Sequence, residues 1–505
     1  MDNKNTFLKL GVIFSFSLLI FLFGLNKINL ITADIGRHLI NGKLLVEQNT
    51  LVSTNHYSYT MQDKLVTNHH WLSGVIFYHV WQLAGFNGLS VFYAILLTIA
   101  FIFFFLVGKS RSSWWPLIFT TVLSLPLIGL RAEVRPEVFS IVFLGFETWL
   151  LLRVIKKKQF KWWSVLIFAV IQILWVNLHL FFFLSWGVVG AMLIQQLFQR
   201  NKATSKFLAI LLIVVIATSF ITPFGYKSVI EPLLILRGFG YKLAENQTLF
   251  FMIKRFGILR YWHGFMAAIL GLGASGYLIW KHRFQYLFAV ILLASFSIFS
   301  IVMNRFVPML GLIIVAFGSW IVGELLSKKK VLEKSLIPFL TAFLLLVFIS
   351  TKNYLSPLNN GFGVGLLPNV ENSAQFFNQH NLSGPIFNNY DLGGYLIHQL
   401  FPGQRVFVDN RPEAYSEEFL TNYITVQEDE VVWQQLDAKY GFETIFFYRH
   451  DFTPWAQPFL IKKIEDDAWV PVYVDDFVLI LVKDDDRNQQ IIKEFELPPE
   501  IFVVN

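Results

Sequence analysis

The stretch "LKLGVIFSFSLLIFLFGLNKINLITADIGRHLINGK", Leu8 to Lys43, decides the fold class. Residues 8–26 form an apolar run, and about 20 such residues cross the hydrocarbon core of a bilayer as a helix. Lys4 and Lys9 stand at its start. Soon after its end come Asp34, Arg37 and His38, spaced i, i+3 and i+4, so a helix here turns all three to one face. The chain therefore sets an acid, a guanidinium and an imidazole at the mouth of its first apolar segment.

Similar runs recur along most of the chain. We read about eleven spans, near 8–26, 88–107, 114–130, 138–155, 162–177, 179–198, 207–222, 261–280, 285–303, 306–323 and 335–352. A basic flank before an apolar run also describes a signal peptide, but the spans that follow favour a start-anchor helix. At 55% hydrophobic and 17% aromatic residues, with a mean hydropathy of +0.54, the 505-residue chain is too apolar for a soluble protein. The alternating pattern of an outer-membrane barrel is missing. With no cysteine, disulfides, thiolate-held zinc, iron–sulfur clusters and thiol catalysis are excluded.

Charge divides the chain in two. Residues 1–355 hold 32 Lys and Arg against 11 Asp and Glu, whereas residues 356–505 hold 9 against 23. The first part reads as a basic membrane domain, the second as an acidic, water-facing one. The basic residues cluster at span ends, which points to topology and lipid phosphate and not to nucleic acid. Five short connections are basic: "GKSRSS", "KKKQFK", "QRNKATSK", "KHR" and "LSKKKVLEK". The positive-inside rule puts them all in the cytoplasm if the N-terminus is cytoplasmic. The C-terminal domain is then extracytoplasmic, on a multi-pass protein of the plasma membrane.

The opposite face holds a long first loop, 27–87, and the segments "RAEVRPE", "VNLH" and "MNRF", besides a fourth loop from Pro223 to about Arg260. These loops hold most of the unusual polar residues. In the first, His69, His70 and Trp71 follow the Asp34 cluster. They read either as interfacial anchors or as neighbours of a carboxylate held at the bilayer surface to act as a base or a metal ligand. Arg131, Arg135 and Arg305 run against the positive-inside bias, and the planar fork of arginine suits phosphate. Pairing with Glu133 or Glu137 is the alternative. Asn177 and His179 sit at the apex of an apolar hairpin and either pack by hydrogen bonds or contact substrate. Glu147 lies within a span, and Glu231 and Glu245 lie in the fourth loop as candidate second metal ligands.

The segment 356–505 reads as one α/β domain. "GPIFNNYDLGGYLIHQL" predicts strand, Gly-rich turn and helix. "QRVFVDNR" and "FETIFFYRH" predict strands, and "WVPVYVDDFVLILVKDD" a hairpin turning at Asp475–Asp476. The alternation favours a small, mainly parallel sheet. Asp391 and Gly393 stand before a helix start, where an anion can bind. Asp409 and Arg411, with Glu413 just beyond, end a buried strand, where ligands are often held. An Asp–Arg pair bracing a turn fits them equally.

An acid after the first span, a long first outer loop, outward arginines and an extracytoplasmic C-terminal domain resemble the GT-C class of integral-membrane glycosyltransferases. More narrowly, "DIGRHLINGKLL", "NHHWLSGVIFYHVWQLAGFNGL", "LWVNLH", "ITPFGY" and "IFNNYDLGGYLIHQLFPGQRVFVDNRPEAY" look like a bacterial GT-C-like group. The resemblance implies an enzyme that moves a sugar from a polyprenyl phosphate or diphosphate to an envelope glycan, lipid or protein acceptor, with inversion. It makes Asp34 the catalytic acid of the first loop. It makes Glu133 or Glu137 the second acidic position of metal-dependent members, where Mg or Mn would join Asp34. "RAEVRPE" contains no Asp-x-Asp pair, however. The expected donor-phosphate contacts are Arg37, His38, Arg131, Arg135 and Arg305. His69, His70, Asn177 and His179 would line the site, with Asp391, Gly393, Asp409 and Arg411 reaching substrate from the tail. A glycan polymerase or ligase using the same donor, and a transporter or flippase, are the competing readings.

Overall fold

The computed structural model describes residues 2–131, 133–158, 160–234, 244–257, 259–326 and 361–502. Its contacts divide the chain into two compact units. One comprises Met1–Lys27, Phe86–Val229 and Lys242–Gly365, and the other Ile28–Gly85, Ile230–Tyr241 and Leu366–Asn505.

The first unit is a helical bundle. Among the described residues, five helices are long and apolar enough to cross a membrane: Trp71–Lys109, Glu137–Lys156, Leu180–Phe198, Leu259–His282 and Asn304–Leu325. Lys9–Gly24, Trp114–Ile128, Trp162–Leu178 and Leu287–Val302 are shorter apolar helices. The expected span at 207–222 falls on the helix Lys202–Thr218, and the one at 335–352 lies outside the described residues. Close backbone approach is part of this packing. A side chain on Gly24 would meet the Cα of Ala94 at 2.8 Å. The segment Asn304–Leu325 contains a π-helical turn at Ile314–Gly318, after which Trp320 donates its indole N–H to the carbonyls of Val107 and Gly108. Trp71–Lys109 breaks at Ala84–Gly85, where Gly85 takes φ +59°. The chain passes from one unit to the other there.

The second unit carries a four-stranded sheet in the order β1 (Ile386–Asn388), β2 (Thr444–Tyr448), β4 (Val478–Lys483), β3 (Trp469–Val474). Only β1 and β2 run parallel, and the other two pairings are antiparallel. The sheet is therefore mixed, not mainly parallel. The hairpin β3–β4 runs back on itself and its second strand pairs with β2. Asp475 makes the turn, accepting the backbone N–H groups of Phe477 and Val478 at 2.8 Å each.

"QRVFVDNR" is buried at Val406–Asp409 but bends at Phe407 and Asn410 and is not a strand of this sheet. Val406 bridges Ser58 of the first loop instead. The two exchange main-chain bonds, Val406 N–H to the Tyr57 carbonyl at 3.1 Å and Tyr59 N–H to the Val406 carbonyl at 3.2 Å. The side chain of Phe387 on β1 packs against Phe407, Phe442 and Trp433 to form the apolar centre of the unit.

Candidate functional site

The helix Ile35–Gln48 forms because Ile35, Leu39, Ile40 and Leu44 turn inward, and it ends at Asn49 in the left-handed region. Asp34 is its N-cap residue, yet its side chain makes no capping bond to the helix. An N-cap Asp ordinarily accepts from the first turn. Here Oδ1 accepts from the amide Nδ2 of Asn410 at 2.5 Å. The Oδ1 of Asn410 in turn accepts from Nε of Arg37 at 3.1 Å. One amide thus links the acid to the guanidinium, and both come from the same helix end.

His38 and His70 stack edge to face at 5.3 Å, and His69 and His70 at 6.5 Å. Nε2 of His69 meets Glu231 at 2.7 Å, and Thr67 donates to the same carboxylate at 2.6 Å. Arg37, His38 and His69 are buried, while Asp34 is half-buried. The structure therefore brings Asp34, Arg37, His38, His69 and His70 together, and adds Asn410 and Glu231.

Behind this cluster, Arg411 grips Asp409 with two N–H groups, Nε at 2.7 Å and Nη2 at 2.6 Å. Tyr415 donates to the same carboxylate at 3.0 Å, and Asn55 accepts from Arg411 at 2.8 Å. The guanidinium lies over the ring of Tyr57 at 5.2 Å. Asp409 is fully buried and Arg411 4% exposed, so the pair is spent on bracing this loop. Glu413 sits in the same field. Burial pushes its carboxyl above the usual carboxylate range, against the pull of Arg37, Arg411 and His69. Gly393 is where it is for room: a Cβ there would fall 2.4 Å from the Cα of Asp409. A Cβ on Gly36 would fall 2.7 Å from the carbonyl oxygen of Gly394. Asp391 is half-buried in the turn Tyr390–Leu392 that leads into the helix Gly393–Leu400.

The other predicted residues belong to the helical unit. Arg135 pairs with Glu133 at 2.8 Å and Glu245 at 2.6 Å. Arg305 pairs with Glu245 at 3.2 Å and Glu137 at 3.4 Å, and lies over Phe181. Two arginines thus face three carboxylates. Arg131 ends the turn Gly129–Arg131, and its side chain lies outside the described residues. Asn177 donates to the carbonyls of Ile173 and Ile221, at 2.7 and 3.0 Å. Nδ1 of His179 meets Ser140 at 2.8 Å and accepts from Phe181 N–H. Both residues are taken up by the turn between their helices.

A divalent cation needs several oxygen or imidazole ligands around one point. Among the described residues, no group of three or more His, Asp or Glu could hold one. Glu133 and Glu137 are matched by guanidinium groups.

Sequence reasoning misses Asn410 and Asn55, and it reaches Glu231 only as a candidate second metal ligand of the fourth loop. Asn410 lies inside "VDNR", and its place between Asp409 and Arg411 was the only signal.

No family model matches the chain, and no curated protein matches its sequence. Solved structures do match the fold. The archaeal oligosaccharyltransferase AglB from Archaeoglobus fulgidus, in complex with an inhibitory peptide and a dolichol-phosphate, aligns with TM-score 0.56 over 94% of this chain and 74% of its own, at 12% identity. The Archaeoglobus fulgidus oligosaccharyltransferase in the apo form aligns with TM-score 0.54 over 87% and 69%, also at 12% identity. The chain shares its fold with a GT-C class membrane glycosyltransferase.

Proposed function

We propose that this chain is a GT-C glycosyltransferase of a bacterial plasma membrane, taking its sugar from a polyprenyl phosphate or diphosphate. The acceptor is an envelope glycan, lipid or protein on the extracytoplasmic face. The observation that carries this reading is Asp34, turned away from its own helix and held by Asn410 and, through it, Arg37. The shared fold supports the class, and one neighbour's dolichol-phosphate supports a lipid-linked donor.

In the proposed reaction, an acceptor O–H or N–H attacks the anomeric carbon while the bond from that carbon to the phosphate oxygen breaks. Asp34 takes the acceptor's proton, and the lipid phosphate leaves with the bonding electron pair. The attack inverts the anomeric centre. A base placed in this way contributes 10²–10⁴-fold, and cations facing the leaving oxygen stabilise the charge that develops there. Arg37 is the first candidate for that second role, with His38 beside it. Arg131, Arg135 and Arg305 are further proposed phosphate contacts, of which Arg135 and Arg305 would first exchange a carboxylate for the phosphate. Asp409 and Arg411 act by holding the Asn410 loop, and His69 and His70 line the site.

The test is reconstitution of the full chain in vesicles with a panel of polyprenyl-linked sugars. Acceptor-dependent release of the free lipid phosphate supports the reading. Hydrolysis or release that no acceptor stimulates, with every donor, overturns it. Parallel reactions with EDTA decide metal dependence.

A further inference from the structure

At the far end of the helical unit lies a second candidate site. The helix Glu137–Lys156 carries the Arg305 partner Glu137 at its start. At its end, roughly 28 Å away along the axis, it borders a cleft of about 1040 Å³. Four cations line this cleft: Arg111 from the connection after Trp71–Lys109, and Arg153, Lys156 and Lys157 from the end of Glu137–Lys156. No acidic residue lines it, and none of the four forms an ion pair among the described residues.

A basic last turn by itself is ordinary, since cations there offset the helix carbonyls. Three further features set this cleft apart. First, its cations converge from two separate stretches of chain rather than from the helix end alone. Second, both arginines are held by their faces, Arg153 over Trp149 at 5.2 Å and Arg111 over Trp320 at 5.0 Å. A stacked guanidinium keeps its in-plane N–H fork for an anion. Third, apolar side chains, Leu106, Leu152, Met192 and Phe284, line the cleft as well, together with the amides of Gln195 and Gln199. A free anion has no use for such a lining. A phosphate carrying hydrocarbon chains fits both parts, and basic pockets between membrane helices recognise such headgroups.

We propose that this cleft binds an anionic glycerophospholipid of the surrounding bilayer, with its phosphate on Arg111, Arg153, Lys156 and Lys157 and its chains on the apolar side chains. The site is separate from the Asp34 cluster and does not depend on the proposed reaction.

The test uses the full chain purified in neutral detergent and offered phosphatidylglycerol and phosphatidylcholine of equal chain length, with bound lipid counted by native mass spectrometry. The protein should retain phosphatidylglycerol at least tenfold over phosphatidylcholine. Arg153→Gln with Lys156→Gln and Lys157→Gln should bring the two near parity. Arg111→Gln alone, from the other stretch of chain, should lower the preference about fivefold. Lys202→Gln with Lys206→Gln, exposed lysines outside the cleft lining, should leave it unchanged. Equal retention of the two lipids by the unaltered chain overturns the proposal. So does an unchanged preference in Arg111→Gln, or displacement of the lipid by millimolar inorganic phosphate, which would mark a free-anion site.

Discussion

Asp34 was legible in the sequence as an acid past an apolar run, but its partner was not. Asn410 lies 376 positions away, and no local pattern links the two. If Asn410 holds the acid in its working position, Asn410→Ala should lower transfer by one to two orders of magnitude with little loss of stability. A kcat fall with KM nearly unchanged checks this, and full activity in the variant would contradict it. A second residue reports on pH. Burial, reinforced by Lys43, pushes the imidazole of His398 down to about 4. The unfolded chain has the ordinary value near 6.5. Above pH 6.5 both states are neutral at this residue. Below it, the unfolded chain takes up the proton first, so stability falls as pH drops from about 6.5 to 4. The fall is at most about 3 kcal/mol. Melting of His398→Gln at pH 7.5 and 4.5 should lack that part of the acid loss seen in the unaltered chain.

At the scale of elements, the helix Ile35–Gln48 and the helix Gly393–Leu400 meet through glycine. The sequence showed "DLGG" as a turn suited to an anion. The structure explains both glycines by close packing, because the backbone of Asp409 lies where a side chain on Gly393 would go and the Asn410 amide crowds the place of one on Gly394. Spacing within the motif carries no trace of neighbours so distant. Gly393→Ala should therefore destabilise by about 1–3 kcal/mol, read as a lower melting temperature of the full chain. Gly273→Ala, in a helix with open space around it, should not. The strands β2, β3 and β4 were visible as apolar runs with a turn between the last two. Their pairing was not, since alternation with helices favours parallel strands but a terminal hairpin reverses direction. "QRVFVDNR" reads as a sheet strand because its apolar centre is buried. Its partner, Ser58 in the first loop, is set by the tertiary fold alone.

For the whole molecule, apolar runs and the uneven charge were enough to separate a helical membrane part from an acidic α/β part. The grouping of residues 28–85 with the C-terminal residues was beyond reach, since it depends on contacts between distant segments. The proposed orientation has a clean test, because the chain contains no cysteine. A cysteine at Asp467 should react with a membrane-impermeant maleimide on intact cells, and one at Lys157 only after permeabilisation. The reverse pattern would invert the topology and remove Asp34 from the extracytoplasmic face. The most direct measurement of the central claim compares the unaltered chain with Asp34→Asn in vesicles, using a polyprenyl-phosphate sugar that the unaltered chain transfers. The account predicts at least a hundredfold loss of acceptor-dependent transfer, with equal insertion and an equal melting temperature. Transfer by Asp34→Asn at the rate of the unaltered chain would contradict it.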